Sequence, residues 1–211
     1  MIGQMGSFDR PSADLDDPLD CYIHGYVSSR LMKLARSSAG GEGLPLTIAA
    51  TKVDGLVLSL TPFSHSYNYR SAVLFGYGQV VESDEEKDWA MRLITDSVVT
   101  GRWENSRTPP DGGELSSTTI LRVRIVSGSG KIREGGPGED KKDAGKEEVV
   151  SKIWTGVVPV WETIGEPVAS KTNRVQELPE HIRAFKEGEN DRNEKQAFSA
   201  ANAVYPKPKA E

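Results

Sequence analysis

Cysteine is almost absent from this chain: Cys21 is the only one among 211 residues. That excludes an intramolecular disulfide framework and a cysteine-cluster metal site, and it favours a reducing compartment. Histidine is scarce as well, with three scattered copies, so a structural zinc site is not expected. No apolar run approaches the roughly 20 residues a membrane span requires. Residues 1–10 lack the charged leader and long apolar stretch of a signal peptide. There is no excess of basic residues either. The formal net charge of -5 argues against a general nucleic-acid binder. A Walker loop, a Rossmann glycine fingerprint, a nucleophile elbow and a helical metalloprotease motif are all missing. These absences lead to the expectation of a cytoplasmic protein with no nucleic-acid, membrane or metal partner.

The hydrophobic fraction of 36% is low for a fully packed chain of this length, and the deficit is concentrated in a few segments. The expected organisation is one domain over residues 21–165, preceded by a loop over 1–20 and followed by an extension over 166–211. Residues 134–148 are Gly, Lys, Glu and Asp and read as a flexible, solvated insert. The extension reads as a short helix near Pro179 to Phe185 and a disordered tail from Glu187.

Within the domain, Cys21 to Val27 reads as a short strand, with Ser28 or Ser29 capping a helix to about Arg36. Leu46 to Val53 and Leu56 to Thr61 read as two strands, separated by Asp54-Gly55. That dipeptide favours a two-residue hairpin because both positions tolerate positive φ. Tyr67 to Val81 is a long strand, where Gly76 and Gly78 suggest a bulge or bend. Ser83-Asp84-Glu85-Glu86 has the form of a capping box, and the helix it opens carries Trp89, Leu93, Ile94 and Val98, with Gly101 ending it. Strands over Thr118 to Val126 and Ile153 to Trp161 follow. At least five short strands with one or two covering helices suggest a mainly β, small-barrel architecture.

Two groups of side chains suit ligand chemistry. Ser28, Ser29, Arg30 and Lys33 surround a helix start, where free amides and the dipole favour a phosphate; equally, Ser29 caps the helix and the two cations are solvated. His65, Ser66, Asn68, Arg70 and Ser71 cluster at the mouth of the long strand, as donors for an anionic or heteroaromatic ligand or as an ordinary loop-to-strand transition. His24 on its short strand reads more readily as a hydrogen-bonded core residue, His181 as inert, and Trp154 and Trp161 as anchors of the barrel or of a subunit contact.

Taken in order, Tyr22-Ile23-His24-Gly25, Ser28 to Leu34, Val53 to Leu58, Phe63 to Ser71, Gly101-Arg102-Trp103 and Trp154 to Pro159 carry a resemblance. The chain resembles the pyridoxamine 5'-phosphate oxidase-like family of FMN-binding split barrels, in its flavin-nucleotide-binding and nitroimidazole-resistance (Nim-like) branch. The resemblance implies a Greek-key, antiparallel split barrel that forms a homodimer and binds FMN in clefts between subunits. It implies that Ser29, Arg30 and Lys33 hold the flavin phosphate, that Asn68 and Arg70 lie close to the ligand, and that Trp154 approaches from the partner subunit. His24 would sit near the reactive ring, with His24 or His65 as proton donor. Activity on a small aromatic or heteroaromatic substrate, with NADH or NADPH as donor, would follow; a flavin or haem carrier, or a scaffold without cofactor, is the non-enzymatic alternative. Family members open with a β-hairpin of which residues 1–20 hold only a remnant, and Leu31 stands where the family often has a basic residue.

Overall fold

The computed structural model describes residues 1–14, 16–17, 19–38, 40–138 and 141–204. Its strands are β1 (Gly3–Gly6), β2 (Asp20–Tyr26), β3 (Leu44–Leu58), β4 (Ser66–Val80), β5 (Thr118–Arg133) and β6 (Gly156–Pro159). Its helices are α1 (Arg30–Ser37), α2 (Asp84–Val98), α3 (Gly112–Ser117), α4 (Lys141–Ala144), α5 (Glu147–Val150) and α6 (Glu180–Asn202). The strands form one sheet in the order β1-β2-β5-β4-β3-β6, and β1–β2, β2–β5 and β3–β6 are antiparallel. The fold is mainly β, as expected. Among the described residues no helix is long and apolar enough to cross a membrane.

The chain divides into two compact units. The first comprises Met1–Ile48, Val73–Ser129 and Leu178–Phe185. Its two small cores follow from the alternation of β2. Tyr22 points to α2, where it meets Ala90 and Ile94 and takes the Trp89 ring edge-on at 5.0 Å between centroids. Ile23 points the other way, to Met32, Ala35 and Leu121 under α1. Period-two alternation makes one strand the wall of two cores.

Ser83 caps α2 by accepting from the Glu86 amide at 3.3 Å. The other half of the expected capping box does not form, because the Glu86 carboxylate instead accepts from the Tyr22 hydroxyl at 2.8 Å. Arg122, directly across from Tyr22 in the ladder, lies 3.5 Å from the same carboxylate and also reaches Asp20 and Asp9. Burial first, and then the bond to Glu86, push the Tyr22 phenol pKa up. Tyr22→Phe is expected to cost about 1 kcal/mol, the net worth of one hydrogen bond; a urea midpoint identical to that of the parent protein would show that the bond contributes nothing. Cys21 is buried, and its thiol is held above the usual range by burial and by Asp20, as befits a packing residue. β4 runs unbroken through Gly76 and Gly78, and Gly76 is needed for a close approach: a Cβ there would come within 2.3 Å of the Arg124 carbonyl oxygen on β5.

The second unit comprises Ala49–Ala72, Gly130–Glu177 and Lys186–Glu211. Here the expected Asp54-Gly55 hairpin is overturned: β3 runs straight through both residues. Asp54 is buried and accepts two hydrogen bonds of 2.8 Å from the Arg70 guanidinium, while its carbonyl receives Val160 N–H at 3.1 Å. Gly55 does not take a positive φ. It is needed because β6 lies close, where a Cβ would meet Val157 Cγ1 at 2.8 Å. The reversal comes later, at residues 59–65, where Ser59 N–H donates to His65 Nδ1 at 3.1 Å and Thr61 Oγ1 to Ser64 Oγ at 2.9 Å.

Two further expectations are corrected. The C-terminal helix does not stop near Phe185 and give way to disorder; α6 continues to Asn202 with Ala197 and Ala200 fully buried. The expected insert is not without internal contacts, since Gly135 is buried and donates its N–H to the Ala200 carbonyl at 2.7 Å. Asn68, also fully buried, donates to the carbonyls of Gly135 at 3.1 Å and Ala200 at 3.2 Å, and its Oδ1 accepts from Arg133 at 2.5 Å. One amide thus ties together β4, the end of β5 and the last turn of α6. Residues 139–140 of the insert and the tail from 205 lie outside the described residues.

Candidate functional site

The start of α1 is built by a tight turn out of β2. Ser29 N–H donates to the Tyr26 carbonyl at 2.9 Å, and Val27 N–H to Ser117 at 2.8 Å. Ser29 takes an extended backbone and its hydroxyl accepts from Met32 N–H at 3.4 Å, a long capping bond. Arg36, whose part the sequence does not reveal, reaches back to the Val27 carbonyl and to Thr119 Oγ1, the latter at 3.2 Å, and so braces the turn from the last turn of the helix. Arg30 and Lys33 are exposed, and no acidic residue occupies the first turn. The helix start therefore presents unneutralised positive potential, with a guanidinium, an ammonium and the Ser28 and Ser29 hydroxyls beside it.

His24 belongs to the same unit but faces away from α1. Its neighbour Gly25 lies beneath α1, where a Cβ would meet Met32 Cε at 2.8 Å. His24 instead lines a cavity of about 510 Å³ on the α2 side, with Ile2, Met91, Ile94 and Trp103 as its apolar wall and Arg102 among its polar groups. Its Nδ1 is buried and has no hydrogen-bond partner. Ser29, Arg30 and Lys33 are thus brought together, while His24 stands on the opposite face of β2.

The remaining expected site residues belong to the second unit. His65 is exposed at its edge and uses Nδ1 to accept from Ser59. Asn68 and Arg70 have the intramolecular partners described above, Gly135, Ala200 and Arg133 for the amide and Asp54 for the guanidinium. Trp154 is 63% exposed and its ring lies over Gly156, whose φ of 154° and missing side chain admit it. The hydrogen bonds to Asp54 push the Arg70 guanidinium further above its usual range.

Residues 14–132, more than half of the chain, match the family model described as "Pyridoxamine 5'-phosphate oxidase". The chain belongs to that family. Its split-barrel fold is matched by solved structures. The FAD and heme binding protein from Mycobacterium smegmatis is 29% identical, over 79% of this chain and 77% of that one, with a TM-score of 0.67. The flavocytochrome Anf3 from Azotobacter vinelandii is 24% identical, over 87% of this chain and 84% of that one, also with a TM-score of 0.67, and speaks for the fold alone. A search of curated proteins returned no match. The family match covers β2, α1, β3, β4, α2, α3 and most of β5. Both the α1 start and the lining of the His24 cavity from His24 to Thr118 fall within it, whereas Trp154 lies beyond it.

Proposed function

We propose that this member of the pyridoxamine 5'-phosphate oxidase family binds FMN as a homodimer and serves as a flavin-dependent oxidoreductase. The observation that carries the reading is the start of α1. A phosphate needs several donors and no competing carboxylate, and the Ser29 cap, Arg30 and Lys33 supply that set within one exposed turn. The residues present therefore fit the tail of the cofactor. FMN would supply the electron transfer itself. The chain's part is to grip the phosphate, to orient the ring and to exclude water, with Trp154 offered by the partner subunit to close the cleft. Arg70, held rigid by Asp54, and Asn68, locked at the end of β4, would fix the strand near the ligand. His24 or His65 would hold the proton, the substrate would be a small aromatic or heteroaromatic compound, and NADH or NADPH would supply electrons in the cytoplasm.

A carrier role is the second reading, and one observation favours it: a protein 29% identical to this chain is described as binding both FAD and heme. The visible spectrum of the purified protein separates the readings. Flavin bands near one per chain support the first, a Soret band supports a haem carrier, and a colourless protein that takes up no added FMN refutes the first and points to a scaffold without cofactor. Bleaching of bound flavin by NADH or NADPH, faster than that of free FMN, distinguishes an enzyme from a carrier. Arg30→Ala is expected to weaken FMN binding by about 1.5–3 kcal/mol, the value of a charge-assisted hydrogen bond. An unchanged dissociation constant would remove Arg30 from the site.

A further inference from the structure

The cavity lined by His24 is chemically unlike the start of α1 and stands on the other face of β2. Its volume of about 510 Å³ falls in the range of small-molecule sites. Much of its wall is apolar, from Ile2 just before β1, Met91 and Ile94 on α2, and the indole of Trp103. Polar residues interrupt that wall, Thr95, Ser106, Thr108 and Thr118 among them, and two others bear on what it could hold. His24 Nδ1 is buried without a partner, a state that costs free energy until something bonds it. Arg102 also lines the cavity, and among the described residues its guanidinium has no ion pair. The other two charges there are already neutralised, since Arg107 pairs with Glu114 and with Asp111 at 3.8 Å.

The placement of Arg102 and Trp103 is built into the chain. Gly101 takes a φ of 75°, which a side chain adopts only with strain, and so turns the backbone sharply after α2. Trp103 N–H then donates to Asp96 Oδ1 at 2.7 Å, pinning that turn to the helix. Arg102 and the indole are thereby held beside the α2 residues that form the apolar wall.

We propose that this cavity binds a small aromatic carboxylate, its ring against Trp103, Met91 and Ile94 and its anionic head received by Arg102. The one cation without an ion pair among the described lining residues matches a single carboxylate. The apolar patch of Ile2, Met91, Ile94 and Trp103 favours an aromatic ring over a free sugar as the guest. The site shares no residue with the phosphate-binding start of α1, although it includes His24, one of the two proton donors offered in the flavin reading.

The test uses 2-naphthoate, its neutral counterpart 2-naphthamide, and acetate, titrated calorimetrically into the full-length protein. Saturable binding of 2-naphthoate at one site per chain is expected, with 2-naphthamide weaker by about tenfold or more and acetate without measurable heat. Arg102→Gln should weaken 2-naphthoate by a similar factor, whereas Arg30→Ala should leave it unchanged even if FMN affinity falls. Equal affinities for acid and amide, or an Arg102→Gln protein that binds like the parent, would overturn the proposal. Should Arg102→Gln fail to fold, the comparison of acid with amide on the unaltered protein decides.

Discussion

Asn68→Ala is expected to destabilise the second unit by about 3 kcal/mol, in the range that follows from breaking a buried hydrogen-bond network and leaving a cavity. The side chain is fully buried and holds three segments at once. Its loss leaves the Gly135 carbonyl with only a 3.5 Å contact from Arg133. Ala200 keeps the bond from Gly135 N–H, so the last turn of α6 should loosen before the rest. Limited proteolysis reads that directly: cleavage between Lys186 and Asn202 should quicken in Asn68→Ala, alongside a lower denaturation midpoint. A variant as stable and as protease-resistant as the parent would mean that the amide does not anchor α6. Asn68→Asp should be no better, since it sets a second oxygen against two carbonyls.

Arg70→Leu is the second large effect. Asp54 is only 3% exposed, and Arg70 is its charged partner through two parallel bonds. Removing the cation leaves a buried carboxylate uncompensated, which costs about 3–5 kcal/mol where both partners are buried. The Arg70 side chain is 41% exposed, so water already screens part of the interaction and about 2–3 kcal/mol is expected. The double variant Asp54→Asn with Arg70→Leu should recover much of the loss, because no unpaired charge remains. Additive losses in that cycle, measured by chemical denaturation, would refute a coupled pair.

Much of the fold could be read from local pattern. β2, α1, β4, α2 and the start of β5 fall within a residue or two of their expected bounds, because caps and alternation are local signals. The Ser29 cap and the cationic helix start were legible for the same reason. The failures are non-local. Asp54-Gly55 looks like a hairpin turn until Arg70 and β6 are known: the acid is there for a partner sixteen residues on, and the glycine for a strand a hundred residues on. α6 is hidden because its contacts are made by Ala197, Ala200, the polar Asn190 and Asn193 and a single ring, Phe198 against Trp161, instead of a row of large apolar residues. Sequence stops at Glu86 for a related reason, since the capping pattern says nothing of a tyrosine hydroxyl that competes for the carboxylate. The His24 cavity was equally invisible, being assembled from Ile2 ahead of β1, from β2, α2, the segment after it, α3 and the start of β5. Gly101 was legible as the end of α2, but Arg102 and Trp103 only through the family resemblance.

The alternation of β2 gives odd and even positions different jobs. Ile23 and Gly25 answer to α1, and Tyr22 and His24 answer to α2. Substitutions in this strand therefore sort by parity: odd-numbered changes should disturb the cationic helix start first, and even-numbered ones the histidine-lined hollow. A single inserted residue in β2 would exchange the two sets, turning a side chain into a helix that has room only for glycine.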